Sequence, residues 1–150
     1  MAFNSEREMV ETIKNSNYLK DFSNSGPCLI KEEVTGFFGV PDLIVIRKTP
    51  KKHITYAYEA KLTNWKRALY QAFRYKAFVN RSYVIMDHDR VKAAVSHSER
   101  FERANIGLIS IDNSGKVYHH YRPRNEAPYS SQLESKFNNI ISSCELYRKI

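Results

Sequence analysis

Apolar residues along this chain change period several times, and each change marks an element. Met9, Val10 and Ile13 recur at helical spacing, so a first helix is predicted from Ser5 to about residue 15. Ser5 can cap it, with Glu8 three residues on completing a capping box. Asn24-Ser25-Gly26-Pro27 reads as a loop. Residues 28 to 34 read as a strand, and Gly36 and Gly39 bracket a bend before Pro41. Two strand-like runs follow, 40–46 and 53–61, joined by the polar, turn-forming Arg47-Lys48-Thr49-Pro50-Lys51-Lys52. Trp65, Ala68, Leu69, Ala72 and Val79 then fall on one face of a helix that Thr63 or Asn64 caps. A strand at 81–86, a helix from Asp87 or Asp89 to about 103, and a hairpin of 107–112 with 116–121 come next. After a loop at 122–128, a last helix is predicted over 130–147. Its apolar stripe is Leu133, Phe137, Ile140, Ile141, Cys144 and Tyr147. The pattern predicts an α/β fold, a mixed central sheet flanked by helices. With no repeat or low-complexity tract, residues 1–150 read as a single domain.

The hairpin at 40–61 carries the candidate chemistry. Centred on the Pro50–Lys51 bond, it sets Val45 opposite Tyr56 and Asp42 opposite Glu59. Directly opposed residues have Cβ atoms ~5 Å apart, close enough to share one cation. Lys61 lies two residues after Glu59 and leaves the same face of the strand. Ala60 points the other way, but its carbonyl can turn towards the same cation. Two carboxylates, a carbonyl and an ammonium can hold a divalent metal beside a phosphodiester and activate water against it. A one-residue slip in register would disperse the group. The plainer alternative makes Asp42 a turn residue beside Pro41, and Glu59 and Lys61 surface neighbours on an edge strand. Leu43, Ile44, Val45 and Ile46 argue against it, because a strand apolar on both faces is central. A carboxylate there is costly to bury without a purpose.

Composition bears on the substrate. Hydrophobic residues at 42% support a packed core, and the net charge of +8 attracts polyanions. Asp42 and Glu59 would repel phosphate without a metal, so charge and motif must be read together. In the helix after the motif, Arg67, Gln71 and Arg74 form a polar stripe beside Lys66. The arginines and Lys66 can take phosphate oxygens, and the Gln71 amide can donate to a phosphate or to a cation's water. Lys48, Lys51 and Lys52 read as a solvated turn, with Lys51 and Lys52 able to touch a nucleic-acid backbone. Cys28 and Cys144 lack metal-ligand spacing and are expected as free thiols in a reducing compartment. The first residues lack the features of a signal peptide and no apolar run reaches membrane-span length. A cytoplasmic protein with no membrane partner is expected.

Pro41-Asp42, Glu59-Ala60-Lys61 and the downstream Gln71, in the order helix, strand, hairpin, helix, strand, resemble the PD-(D/E)XK nuclease superfamily. The resemblance covers roughly the first two thirds of the chain and implies a restriction-endonuclease-like core. It implies that Asp42 and Glu59 bind Mg²⁺, with Mn²⁺ able to substitute, and that Lys61 orients or activates the attacking water. An acidic residue of the first helix often assists in that family. Ser5-Glu6-Arg7-Glu8-Met9-Val10 is similar to the start of archaeal Holliday junction resolvases, which makes Glu6 the auxiliary acid and Glu33 the alternative. The implied activity is metal-dependent DNA endonuclease. Two other readings stay open: a non-cleaving DNA-binding protein on the same fold, and an RNA-processing nuclease. A nuclease this small cuts one strand per site, so a homodimer is expected. The last helix can pack on its own domain or reach a second subunit. Asp87-His88-Asp89 reads as helix capping rather than a metal cluster. His119 and His120 face opposite ways on a strand and read as surface or packing residues.

Overall fold

The computed structural model describes residues 2–24, 28–32, 39–48, 51–142 and 148–149. Chain order is α1 (Glu6–Lys14), α2 (Asn17–Asn24), β1 (Cys28–Glu32), β2 (Leu43–Lys48), β3 (His53–Lys61), α3 (Trp65–Tyr75) and β4 (Arg81–Asp87). A 3-10 turn (His88–Arg90) follows, then α4 (Lys92–Val95), α5 (Ser98–Ala104), β5 (Gly107–Ile111), β6 (Val117–Tyr121), α6 (Ser131–Ser142) and β7 (Arg148–Lys149). The strands form one sheet in the order β6-β5-β4-β3-β2-β1-β7. β3, β4 and β5 run parallel, and the remaining pairings are antiparallel. The fold is α/β with a mixed sheet flanked by helices.

Burial explains this layering. β4 and β5 are buried along nearly their whole length, as strands covered on both faces must be. Tyr56, Tyr58 and Ala60 point to one face, where Phe3, Met9, Ile13 and Leu19 cover them. The alternate residues Ile44, Ile46 and Ala57 point to the other face, against Tyr75, Phe78, Val79 and Phe137. Further along that second face, Trp65, Ala68, Leu69 and Ala72 of α3 close over Val84, Met86 and Leu108.

Several boundaries depart from the sequence pattern. Ser5 Oγ accepts from Glu8 N at 3.1 Å, but Glu8 Oε2 accepts from Asn4 N at 3.0 Å, one residue earlier than a capping box requires. Asn15-Ser16-Asn17 reads as a helix end and does end α1, with Ser16 Oγ donating to Ile13 O at 2.6 Å. The chain nevertheless re-enters a helix at once, because Leu19 has a fully buried place under the sheet. α3 stops at Tyr75 instead of running to 79. Phe78 N and Val79 N both donate to Tyr75 O, and Asn80 N reaches Thr55 O at 3.1 Å, turning the chain into β4. The helix expected after β4 is broken into three pieces. Asp87 does cap it: Oδ1 accepts from Asp89 N and Oδ2 from Phe3 N, both at 3.0 Å. β2 begins at Leu43, three residues later than the apolar run suggests. Cys144, Tyr147 and the end of the strand expected to reach 34 lie outside the described residues.

α6 packs on its own domain. Phe137 is fully buried, its ring 4.6 Å from that of Phe78, while Ile140 is 38% exposed. Among the described residues, no helix is long and apolar enough to cross a membrane. Removing the Phe137 ring should leave a cavity that the helix cannot refill. Phe137→Ala is expected to lower unfolding free energy by about 3–5 kcal/mol in denaturant titration. A loss below ~1 kcal/mol would mean that α6 is not held by this contact.

Candidate active site

The site forms where β2 begins and β3 ends. Leu43 pairs with Tyr58 and Val45 with Tyr56, the register in which Asp42 is the residue opposite Glu59. Asp42 N donates to Tyr58 O at 3.0 Å, and Asp42 Oδ2 accepts from Ala60 N at 2.8 Å, so the carboxylate is fixed against the end of β3. The N–H and C=O of one strand residue leave the same edge, so the Ala60 carbonyl faces the Asp42 side too. Gly39, three residues before Asp42, has a φ of 125°, a conformation that suits glycine.

Glu59 leaves β3 on the α3 face and is only 5% exposed. Tyr75 OH donates to its Oε1 at 2.7 Å. Lys61 Nζ lies 4.0 Å from Glu59 Oε2 and 4.0 Å from Glu6 Oε1. Glu6, in the first turn of α1, also accepts from Leu62 N through Oε2 at 3.2 Å. The acid expected from the first helix therefore does meet Lys61. Glu6, Glu32 and Asp42 line one cleft of about 340 Å³, and Glu32 is ion-paired with Lys14. Glu33, the alternative acid, lies outside the described residues.

The electrostatics follow from burial. Glu59 is pushed up to about 7, first by burial and then by the nearby Asp42 and Glu6 carboxylates. The Tyr75 hydrogen bond and the Lys61 ammonium pull it back. Mutual repulsion of Asp42 and Glu59 is thus present, but removal from water is the larger cause. Burial and the Glu59 carboxylate push the Tyr75 phenol well above its usual range, so it stays a hydroxyl donor.

Other expected residues divide by position. Gln71 lies on α3 one turn before Tyr75, and its Oε1 is buried with no hydrogen-bond partner among the described residues. Lys66 and Arg67 stand exposed in the first turn of α3, with Lys66 Nζ 5.7 Å from the Trp65 ring centre. Arg74 is exposed at the far end of α3, over Tyr70. Lys51 and Lys52 are not brought to the site. They sit at the other end of β3, roughly 30 Å from Lys61 at strand rise. A turn between two strands necessarily lies opposite their open ends. Tyr75 is the site residue that sequence reasoning misses. Its signal is only its i+4 spacing from Gln71, which an ordinary core aromatic would share.

The donor set fits a small oxygen-loving cation. Among the described residues no three His, Cys, Asp or Glu side chains are grouped to hold a metal. Mg²⁺, however, is commonly held by one or two carboxylates plus waters and substrate phosphate. Asp42, Glu59 and the Ala60 carbonyl could serve it, and the orphaned Gln71 Oε1 suits a water's O–H. Comparisons with protein families, with curated proteins and with solved structures find no match to this chain.

A carboxyl whose pKa rises on folding stabilises the fold below its unfolded value and loses that contribution as pH climbs through the folded value. For Glu59 the window runs from 4.5 to about 7. In metal-free buffer the protein should lose roughly 3 kcal/mol across it from this group. Glu59→Gln should flatten that slope and exceed wild type in stability at pH 8. Parallel pH–stability curves for the two proteins would contradict the assignment.

Proposed function

We propose that this chain is a metal-dependent DNA nuclease with a restriction-endonuclease-like core of the PD-(D/E)XK type, hydrolysing phosphodiester bonds within a strand. The observation that carries this reading is the hairpin register. It sets Asp42 opposite Glu59 with Lys61 beside them, and Asp42 and Glu6 line one cleft.

Asp42, Glu59 and the Ala60 carbonyl would hold Mg²⁺ or Mn²⁺, which when bound supplies a Lewis acid that polarises the phosphoryl oxygen and lowers the pKa of water. Tyr75 fixes the Glu59 carboxylate through its hydroxyl, and the Ala60 N–H fixes Asp42. Lys61, held between Glu59 and Glu6, positions the attacking water and offsets negative charge growing on the phosphoryl group. Gln71 orients water or substrate phosphate from α3. Lys66, Arg67 and Arg74 take backbone phosphates along the same helix. One chain carries one such site, so cutting both strands of a duplex or junction takes two copies.

Asp42→Ala or Lys61→Ala should lower cleavage by at least ~10²-fold while leaving the circular dichroism spectrum unchanged. The assay is a panel of linear duplex, flap, single-stranded and four-way DNA, with matched RNA, in Mg²⁺ or Mn²⁺. Full activity of either variant would overturn the assignment. Cleavage of RNA alone would move it to RNA processing, and tight EDTA-insensitive DNA binding without cleavage would make the chain a binding protein. Metal binding has its own readout. Saturating Mn²⁺, or non-catalytic Ca²⁺, should stabilise wild type by ~1–3 kcal/mol. Asp42→Asn should lose most of that gain, and equal melting shifts in both proteins would exclude the pair as ligands.

A further inference from the structure

A second site, basic in character, lies on the opposite face of the sheet and has no part in the chemistry above. Arg47 at the end of β2, Arg81 at the start of β4 and Arg122 just after β6 line a pocket of about 380 Å³. Tyr18, Tyr56, Tyr83 and His119 form its walls, and Asp21 stands at its rim. The pairing of Tyr56 with Arg81 lies five residues from that of Lys61 with Met86, about 16 Å down the strands. The pocket shares the face covered by α1 and α2, whereas Glu59 points to the α3 face.

Three features of this pocket point to an anion. Its three guanidiniums outnumber its single carboxylate, and no acidic side chain among the described residues forms an ion pair with any of them. Arg47 Nε, Arg81 Nε and His119 Nδ1 are all buried without a hydrogen-bond partner among the described residues. A buried polar atom left unpaired costs about 1–3 kcal/mol, and all three belong to side chains that line this one cavity. The aromatic wall is held rigidly. Tyr58 and Tyr83 stack at 4.9 Å, Tyr18 OH and Tyr58 OH share a 2.8 Å hydrogen bond, and Arg81 lies 5.7 Å from the Tyr56 ring centre. A Cβ at Gly107 would overlap the Tyr83 ring, so glycine there lets the ring lie against the sheet. Guanidinium forks match phosphate oxygens, and aromatic rings accept a base of any identity.

We propose that this pocket binds the phosphate of a nucleotide, with Arg47, Arg81 and Arg122 on the phosphate and the Tyr–His wall against the base. Burial, then Arg122 and His120, lower the pKa of His119, so the neutral ring supplies one hydrogen bond and no competing charge. The ligand is either a free nucleotide or a residue of a nucleic-acid strand. This inference does not rest on cleavage and can be tested in EDTA.

Calorimetric titration of the full chain should use inorganic phosphate, deoxyadenosine, its 5′-monophosphate, and a short single strand with or without a 5′-phosphate. The monophosphate should bind at least about tenfold tighter than deoxyadenosine. Arg47→Gln and Arg122→Gln should each weaken the monophosphate about tenfold or more without lowering the melting temperature of the free protein. Lys61→Ala, in the other site, should bind it as wild type does. A strand that binds more tightly than the mononucleotide identifies nucleic acid as the source; equal binding identifies the free nucleotide. Failure of every phosphate probe to bind below about 1 mM would overturn the proposal. So would arginine variants that bind as wild type, or loss of binding in Lys61→Ala alone.

Discussion

Antiparallel pairing of β2 with β3 constrains everything else in the candidate site. With Leu43 against Tyr58 and Val45 against Tyr56, Asp42 must arrive beside Glu59, and Ala60 N–H must point at Asp42. Shifting either strand by one residue would turn Ile44, Ile46 and Ala57 out of one core and Tyr56 and Tyr58 out of the other. The apolar packing on both faces thus fixes the spacing of the polar residues at the open end. Accuracy at the site is a by-product of a sheet that cannot slip.

That placement leaves Glu59 in an uncomfortable position. It is buried on the α3 face, near Asp42 and Glu6, and the Lys61 ammonium is 4.0 Å away. A hydroxyl donor from Tyr75 relieves part of this, and Tyr75 is itself locked in the core beside Ile44 and Phe78. Groups held away from their ordinary protonation state cluster where function needs them. Here the strain has a clear direction, because a divalent cation between the carboxylates would remove both the repulsion and the need for a proton.

The two faces of the sheet divide the polar work. The open end of β3, under α1 and α3, gathers carboxylates around a lysine. The other end, on the α1–α2 face, gathers arginines around tyrosines. Each group draws on central strands, β2 and β3 for the first and β2, β3 and β4 for the second, with edge strand β6 leading into Arg122. Segregating acidic from basic groups keeps them from neutralising one another.

The local pattern of residues determined much of this. A polar turn between two β-rich runs is enough to centre a hairpin, and the hairpin is enough to oppose Asp42 and Glu59. Asn64 capping α3, with Oδ1 accepting from Arg67 N, and Asp87 capping the turn after β4 were legible for the same reason: each is settled within a few residues. What only the tertiary structure decided depends on where whole elements dock. α2 exists because Leu19 has a place beneath the sheet, which no nearby residue announces. Tyr75 meets Glu59 because of how α3 is rotated over β3, and sequence spacing does not fix that rotation. Lys51 and Lys52, read as a solvated turn, lie a strand's length from Lys61. Arg47 of β2, Arg81 of β4 and Arg122 just after β6 share a pocket only once those strands occupy one sheet. Interactions within a turn are written in neighbouring residues, whereas those between elements depend on packing that the whole chain must first complete.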